Sequence, residues 1–341
     1  MRVAMYYNNN DIRLEEMPKP EIGSGELLVK VIASGVCGSD VMEWYRIKKA
    51  PLVLGHEIAG DIVEVGDGVT DYKEGDRVFV SHHVPCGECK YCLDDHGSCC
   101  DTLRTTNFDP GGFSEFVRIP QINVEKGTYR LPDEVSYEDG VFVEPLACVV
   151  RGQRFAEVEA GDTVLVLGSG IVGLLHIKLA KARGAGKIIA TDISDYRLDA
   201  ARKSGADEVI DGREDVPEKV RELNDGRLAD VVIVSTGAVP AIKQSLRSVD
   251  SGGTILFFAP TDPGTEIPIP FNELWREEIT MVSSYAGCPE DINEVIELLR
   301  SGSVKVQDLI THRLGLADTQ SGFQLVAKAE DSIKVVIEPW K

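Results

Sequence analysis

Apolar and polar residues follow two different patterns along this chain, and the change between them predicts two kinds of structure. In the first third, short apolar runs alternate with polar residues and stop at glycine turns, which is typical of β-strands. Predicted strands lie at residues 26–33, 58–65 and 76–80. We therefore expect a mostly β region with few helices.

In the middle of the chain, near-continuous apolar runs alternate with segments of helical periodicity. Such runs are typical of parallel strands that are buried on both faces. Predicted strands lie at residues 163–167, 187–192, 208–210, 230–234, 253–258 and 279–283, and predicted helices include residues 174–183 and 240–249. Strictly alternating strands and helices predict a doubly wound parallel sheet of the Rossmann type.

The last segment predicts helices at residues 292–300 and 318–329 and a closing strand at 334–338. We expect it to return to the first region. The predicted class is therefore α/β, with a mostly β domain over residues 1–149 and 287–341 and a Rossmann domain over 150–286. A length of 341 residues agrees with two domains.

Net charge and apolar content exclude two classes of partner. The formal charge of −20 opposes binding to nucleic acid or to an anionic membrane surface. No apolar run approaches the ~18 residues that a membrane span needs. The first ten residues lack the apolar core of a secretory signal, so we expect a cytoplasmic protein with reduced cysteines.

A glycine-rich turn follows the strand predicted at residues 163–167. Gly168 allows a tight turn, Gly170 lets the backbone approach a pyrophosphate, and Gly173 lets the next helix pack closely. With Ile171 and Val172, these residues would place amide groups of the helix N-terminus against phosphate. The alternative is a glycine turn in an α/β sheet that binds no ligand.

Asp192 ends the second predicted strand, 19 residues after Gly173. A carboxylate at this place accepts hydrogen bonds from both ribose hydroxyls and repels a 2′-phosphate. The pattern therefore favours NAD over NADP. Arg197 is expected near the adenosine, although its charge speaks in part for NADP.

Four cysteines form a closely spaced group. They are Cys86, Cys89, Cys92 and Cys100. Four thiolates close a tetrahedron around zinc and leave no open position, so this group predicts a structural metal site. Disulfides, idle thiols or an iron–sulfur cluster are the alternatives. The neighbouring Cys99 could replace Cys100, whereas Cys148 and Cys288 fit no spacing and are expected to be buried small residues.

A second group of metal-ligand types is scattered through the first region. Cys37, His56 and an acid, either Glu57 or Glu144, would make a three-ligand zinc site with one open position. Each residue also has a structural interpretation: a core cysteine, a core histidine and a loop carboxylate. Spacing alone does not decide between the two.

These motifs, taken in order, resemble the zinc-dependent medium-chain alcohol dehydrogenases, and most of all the polyol (sorbitol-type) and threonine dehydrogenase branch. The resemblance covers essentially the whole chain. It is carried by segments 35–40 (GVCGSD), 54–60 (LGHEIAG), 75–78 (GDRV), 144–146 (EPL) and 168–173 (GSGIVG), together with the four cysteines.

The resemblance implies a GroES-like catalytic domain joined to the Rossmann domain, with two zinc ions per chain. It places the catalytic zinc on Cys37, His56 and Glu57, with Glu144 close to the metal directly or through water. The zinc would acidify a substrate hydroxyl, a hydride would pass to NAD, and Ser39 would relay the proton. Family members are usually dimers or tetramers, so we expect a homo-oligomer, most simply a tetramer.

Departures from the family pattern concern the proton route and the substrate. The usual relay ends at a histidine, but here that position is Met42, which carries no proton. Animal-type sorbitol dehydrogenases have an Arg-Tyr pair that matches Ser284 and Tyr285, so the substrate-binding cation is missing. The expected pocket residues are Glu43, Trp44, His82 and Tyr285, which favour a polar alcohol over ethanol.

The sequence thus predicts an NAD-dependent enzyme that oxidises a secondary alcohol, a polyol or another polar alcohol. L-threonine 3-dehydrogenase and sugar-phosphate dehydrogenase activities are alternatives within this class. A non-catalytic NAD-binding relic that keeps only structural zinc is the alternative from another class.

Overall fold

Two compact units make up the computed structural model, which describes all residues from 1 to 341. The first unit consists of Met1–Ala147 together with Gly287–Lys341, and the second is Cys148–Ala286. The second unit is therefore inserted, along the chain, between two parts of the first.

Sixteen strands run through the chain. In order they are β1 Arg2–Asn8, β2 Asp11–Glu16, β3 Leu27–Gly35, β4 Leu52–Val53, β5 Glu57–Val65, β6 Arg77–Ser81, β7 Phe116–Ile119, β8 Thr128–Arg130, β9 Thr163–Leu167, β10 Lys187–Asp192, β11 Glu208–Asp211, β12 Ala229–Val234, β13 Val249–Phe257, β14 Thr280–Ser283, β15 Ile310–Gly315 and β16 Lys334–Glu338.

Thirteen α-helices accompany them, along with four short 3₁₀ helices. The α-helices are α1 Glu43–Arg46, α2 Lys90–Leu93, α3 Asp101–Thr105, α4 Gln121–Gly127, α5 Tyr137–Gly140, α6 Val143–Phe155, α7 Ile171–Ala182, α8 Asp195–Ser204, α9 Val216–Leu223, α10 Val239–Ser248, α11 Phe271–Arg276, α12 Pro289–Arg300 and α13 Thr319–Lys328. The 3₁₀ helices are Ile47–Lys49, Gly97–Cys99, Gln307–Leu309 and Leu316–Asp318.

The first unit is built around a seven-stranded sheet. Its order is β15-β16-β3-β5-β6-β8, and β7 pairs with β3 beside this path. Alternate residues of β3, namely Leu27, Val29 and Val31, enter one apolar core, as the period of two in a strand requires. A separate three-stranded sheet has the order β2-β1-β4.

Strand β16 comes from the far end of the chain and lies next to β3. On β3, Gly35 pairs with Val336 of β16 on one side and with Glu57 of β5 on the other. Three strands that are distant in sequence therefore meet at Gly35. This junction lies directly beside the candidate metal ligands described below.

The second unit contains one parallel sheet of six strands in the order β11-β10-β9-β12-β13-β14. Every residue of its central strand β9 is buried, which explains the unbroken apolar sequence. Core side chains include Leu165, Ile189, Val232 and Ile255. The predicted α/β class, with a mostly β region and a Rossmann sheet, is confirmed.

Two predicted boundaries in the second unit were wrong by several residues. Helix α7 begins at Ile171 instead of residue 174, because the glycine turn is already complete at Gly170. Strand β13 begins at Val249, four residues before the predicted start, where the predicted helix at 240–249 ends. No helix of the structure combines the length and the apolar character that crossing a membrane requires.

Candidate active site

Three potential metal ligands converge in the first unit. The ligand atoms of Cys37, His56 and Glu57 all lie within 4.8 Å of one another. Cys37 lies in the loop after β3, and His56 and Glu57 lie at the start of β5. A thiolate, an imidazole and a carboxylate at these separations fit a zinc ion with one open position. Glu144, in the first turn of α6, is not part of this group.

Asp40 fixes the orientation of His56. Asp40 is fully buried, and its Oδ1 lies 3.3 Å from Nδ1 of His56. Burial opposes protonation of the imidazole, but the Asp40 carboxylate and Cys37 raise the pKa of His56 well above its usual value. With Nδ1 facing Asp40, Nε2 is the nitrogen left for a metal.

Lys334 forms a buried ion pair with Glu57. Both side chains are 1% exposed, and Lys334 Nζ donates to Glu57 Oε2 and, at 3.5 Å, to the carbonyl oxygen of Val36. The pair lies over Gly35. A Cβ added to Gly35 would come within 2.0 Å of Glu57 Oε2 and 2.8 Å of Lys334 Cε. Only glycine at this position leaves room for both groups.

Ser39 receives a hydrogen bond from Arg46. Arg46 Nη2 donates to Ser39 Oγ and Arg46 Nε donates to the Ser39 carbonyl oxygen, both at 3.0 Å. The same Nη2 lies 3.4 Å from Asp40 Oδ1. Ser39 Oγ keeps a second lone pair and its own proton for another partner. Met42 precedes helix α1 and offers no group that could carry a proton.

The structure brings only some of the predicted pocket residues to this site. The ring centroid of His82 lies 4.8 Å from that of His56 and 3.8 Å from that of His83. Glu43 is exposed and its Oε1 accepts from the Asn9 backbone amide at 3.3 Å. Two further predicted residues are exposed: Trp44 in the first unit and Tyr285 in the second.

The four-cysteine group forms a compact cluster in the first unit. The sulfurs of Cys86, Cys89, Cys92 and Cys100 lie within 4.8 Å of one another, and the Cys89–Cys92 and Cys86–Cys92 separations are 3.5 and 3.8 Å. Zinc–sulfur bonds of ~2.3 Å in a tetrahedron require about 3.8 Å between sulfurs. Cys99 lies outside this cluster, so Cys100 is the fourth candidate ligand.

Polar groups around this cluster favour the thiolates of Cys86 and Cys100, whereas burial raises the pKa of Cys92 to about 12. Burial opposes ionisation, but hydrogen bonds from the backbone amides of Cys86 and Leu103 lower the pKa of Cys100 to about 6. Lys126 Nζ donates to the carbonyl oxygen of Cys86 and brings a positive charge to the cluster. Of the remaining cysteines, Cys288 is buried as expected, whereas Cys148 is half-buried. None of the eight cysteines forms a disulfide.

The glycine turn of the second unit has the geometry that its sequence suggests. Gly168 has φ of +94°, which favours glycine. A Cβ on Gly173 would lie 2.0 Å from the Gly168 carbonyl oxygen, so α7 packs against the turn only with glycine there. A Cβ on Gly170 would meet nothing within 4 Å, which leaves open space beside the start of α7. Ile171 and Val172 form the first turn of that helix.

Asp192 is tied to this turn. Its Oδ2 accepts from the Ser169 amide at 2.9 Å and its Oδ1 from the Ser194 amide at 3.0 Å. Arg197 Nη1 lies 3.9 Å from Asp192 Oδ2, and Arg197 Nε is buried without a hydrogen-bond partner. The Asp192 carboxylate therefore fixes the turn by binding the backbone amide of Ser169.

Three residues at the two cysteine-containing sites were missed from the sequence: Lys334, Arg46 and Lys126. The available signal for Lys334 was a lysine at the head of the apolar strand 335–337, where an unpaired charge would be costly to bury. The signal for Arg46 was a run of basic side chains directly after the Cys37 motif. No sequence signal pointed to Lys126.

A mostly β unit that holds both cysteine-containing sites, together with a Rossmann unit, defines a dehydrogenase of the two-domain zinc class. Residues 23–133 match the alcohol dehydrogenase GroES-like domain, and residues 172–301 match the zinc-binding dehydrogenase family. The chain belongs to the zinc-dependent medium-chain alcohol dehydrogenases, in the polyol and threonine dehydrogenase branch. It is therefore an oxidoreductase, and the resemblance found in its motifs is confirmed.

Individual relatives match over nearly the whole chain. A sorbitol dehydrogenase of Bacillus subtilis is 33% identical, with 99% of this chain and 97% of the relative covered. An L-threonine 3-dehydrogenase of Rhizobium johnstonii is 32% identical over 95% of this chain and 94% of its own. A zinc-binding dehydrogenase of Sinorhizobium meliloti, solved with NADP bound, has a TM-score of 0.89 at 28% identity and 99% coverage of both chains.

Proposed function

We propose that this chain oxidises a secondary hydroxyl of a polyol, or of another polar alcohol, to a ketone with NAD as hydride acceptor. The observation that carries the proposal is the convergence of Cys37, His56 and Glu57 within 4.8 Å, in the unit that also holds Ser39. The sorbitol dehydrogenase relative supports the polyol class.

Each residue of the site has a defined task in this proposal. Cys37, His56 and Glu57 would hold zinc, which supplies Lewis acidity that brings the pKa of the alcohol toward neutral pH. Asp40 holds His56 in one orientation. Ser39 Oγ, fixed by Arg46, accepts the hydroxyl proton of the substrate and passes its own proton onward. Because Met42 cannot continue the relay, we propose that water and a ribose hydroxyl complete it.

Two carboxylates, Glu57 and Glu144, are candidates for the acidic ligand of the metal. Glu57 is held by Lys334 near Cys37 and His56, so we propose it as the direct ligand. Glu144, which the structure leaves outside that group, is proposed to approach through water. Either carboxylate would supply an oxygen donor to zinc, so we propose that the two can trade this role.

For the cofactor we propose NAD, bound at the turn of Gly168, Gly170 and Gly173. Asp192 supports this choice because its negative charge opposes a 2′-phosphate. The solved relative that holds NADP, and the nearby Arg197, are the arguments for the other cofactor. Initial rates with NAD and NADP at matched concentrations separate the two.

The test of the function combines metal content with activity. Purified protein loaded with zinc should contain two zinc ions per chain and form NADH from one or more of a panel of polyols, amino alcohols and sugar phosphates. L-Threonine oxidation above all others would favour the activity of the Rhizobium relative. One zinc per chain and no turnover with any alcohol would leave a non-catalytic NAD-binding protein.

We further propose a cytoplasmic homo-oligomer, with a tetramer as the simplest assembly. The edge strand β14 and the segment before it expose several large apolar side chains: Ile269, Phe271, Trp275 and Met281. An exposed apolar patch at a sheet edge favours pairing with a second copy. Light scattering at micromolar concentration should give a multiple of the chain mass, and Trp275→Glu should lower it.

A further inference from the structure

A group of positive charges lies beside the candidate metal ligands of this acidic chain. Three basic residues follow one another within four positions: Arg46, Lys48 and Lys49, in a chain of net charge −20. Both lysines are exposed, and neither ammonium group has a carboxylate partner. The acid of the same segment, Glu43, is held instead by the Asn9 amide. The two lysines therefore carry positive charge that no carboxylate of the protein pairs with, whereas Arg46 lies 3.4 Å from Asp40.

Arg46 has unused hydrogen-bonding capacity. Its Nε and Nη2 donate to Ser39 and approach Asp40, while its Nη1 donates to no protein group. The side chain is 15% exposed, so it is partly fixed by these contacts. A guanidinium that is held on one side and free on the other suits an oxyanion.

Arg46 and Lys49 both lie near the ring of Tyr45. Arg46 Cζ is 4.6 Å and Lys49 Nζ is 6.0 Å from the ring centroid of Tyr45. No such ring contact involves Lys48. Lys49 is therefore the lysine that shares the Tyr45 ring with Arg46, whose guanidinium reaches Ser39 and Asp40 beside the metal ligands.

We propose that the alcohol substrate carries an anionic group, a phosphate or a carboxylate, and that Arg46 and Lys49 bind it. This inference rests on the proposed function and narrows its substrate class. A neutral polyol offers hydroxyls and gains nothing from two cations, whereas an oxyanion gains charge-assisted hydrogen bonds from both.

The first arm of the test compares substrates on zinc-loaded wild-type enzyme with NAD. Sorbitol, sorbitol 6-phosphate and L-threonine represent the neutral, phosphorylated and carboxylate-bearing alcohols. We expect kcat/KM for one of the anionic substrates to exceed that for sorbitol by ~10-fold or more. Equal or better turnover of sorbitol overturns the inference but leaves the proposed function intact. If none of the three is oxidised, the substrates of the proposed function are wrong instead.

The second arm uses a matched pair of variants. Lys49→Gln should raise KM for the anionic substrate by ~10-fold and should lower the ratio of kcat/KM for that substrate to kcat/KM for sorbitol by a similar factor. Lys48→Gln removes the same charge from the adjacent residue and should change KM by less than about twofold, since general steering at a distance is weak. Lys49→Arg should restore binding. Equal effects of Lys48→Gln and Lys49→Gln would overturn the assignment.

A binding measurement makes the inference independent of turnover. Inorganic phosphate, titrated calorimetrically into the NAD-bound protein, should bind to wild type and to Lys48→Gln. It should bind at least ~10-fold more weakly to Lys49→Gln. Absence of phosphate binding to wild type, together with no preference for the carboxylate-bearing alcohol, contradicts the inference.

Discussion

Lys334 and Glu57 form a buried ion pair across Gly35, although 277 positions separate them along the chain. The carboxylate that stands beside Cys37 and His56 therefore has a cation of its own before any metal binds. A buried charge without a partner is strongly destabilising, so the lysine lets the acid occupy this position in the folded chain.

The first prediction follows from that charge balance. In metal-free protein, Lys334→Met should lower the free energy of unfolding by about 3–5 kcal/mol, because Glu57 is left uncompensated. Zinc should restore part of this loss by supplying a positive charge to the same carboxylate. Urea denaturation with a chelator and with zinc measures both values. The control is Lys341→Met, which removes an exposed lysine of the same tail. Equal losses with and without zinc would contradict the idea.

The second prediction concerns the space above Gly35. Gly35→Ala should destabilise the protein by about 1–3 kcal/mol, because its Cβ would overlap Glu57 and Lys334. It should also weaken zinc binding at the Cys37 group, measured by competition with a chromogenic chelator. Gly38→Ala is the matched control for stability, since a Cβ there meets nothing within 4 Å. Similar stabilities of the two variants would rule out the steric argument.

A third prediction separates the two cysteine-containing sites. Cys89→Ala should lose one zinc per chain and about 2–5 kcal/mol of stability, since it opens a four-sulfur site. Cys99→Ala, which changes a neighbouring thiol outside the group, should lose neither. Cys37→Ala should lose the other zinc and remain folded, with NAD binding intact and no turnover. Retained activity in the Cys37 variant would refute the catalytic assignment.

The fourth prediction tests the role of Asp192. Asp192→Asn keeps the size of the side chain but removes its charge, so NADP should no longer be repelled. We expect the ratio of kcat/KM for NAD to that for NADP to fall at least ~10-fold. Asp195→Asn, at the exposed start of the next helix, is the control. Equal efficiency of wild type with both cofactors would disprove the prediction.

The fifth prediction is a dependence on pH that arises in the second unit. His176 is fully buried, and burial lowers its pKa from 6.5 to about 3. The folded state keeps this imidazole neutral, while the unfolded state binds a proton below pH 6.5. Stability from this group is therefore complete above pH 6.5 and is lost as the pH falls toward 3.

Measured as urea midpoints, His176 should account for about 2 kcal/mol of the stability lost between pH 7.5 and pH 5. His176→Leu should remove that part, so the difference between wild type and variant should shrink by this amount at pH 5. Gln153 retains its 2.8 Å hydrogen bond to the carbonyl oxygen of residue 176 in the variant. A difference that is independent of pH would show that His176 is not the titrating group.

Features whose residues are neighbours in the sequence could be predicted, whereas features that depend on contacts between distant segments could not. Strand β9 and the turn after it were predicted because their apolar run and glycines are contiguous. The start of β13 was missed because its first residues, Val249 to Gly253, include polar and glycine positions that resemble a turn. Pairing with β12 overrides that local preference.

The residues of the candidate sites also fall into those that the sequence indicated and those that only the fold indicated. Cys86, Cys89 and Cys92 lie within seven residues, so spacing alone pointed to their group. The pairing of Lys334 with Glu57 could be recognised only from the position of β16 beside β3, because no local sequence pattern links strand β16 to Glu57. Glu144 was expected near the metal from the family resemblance, yet the geometry of the group itself does not include it.

The order of the strands around Gly35 also constrains how the first unit can be assembled during synthesis. Strands β3 and β5 leave the ribosome early, whereas β16 follows only after the entire second unit has been made. Until then Glu57 lacks the ammonium partner Lys334, and the Ser34–Gly35 end of β3 lacks its β16 neighbour. The inserted Rossmann unit can fold as it emerges, but the metal-ligand region waits for β16. Translation thus delays completion of the candidate catalytic centre until the whole inserted unit has been made.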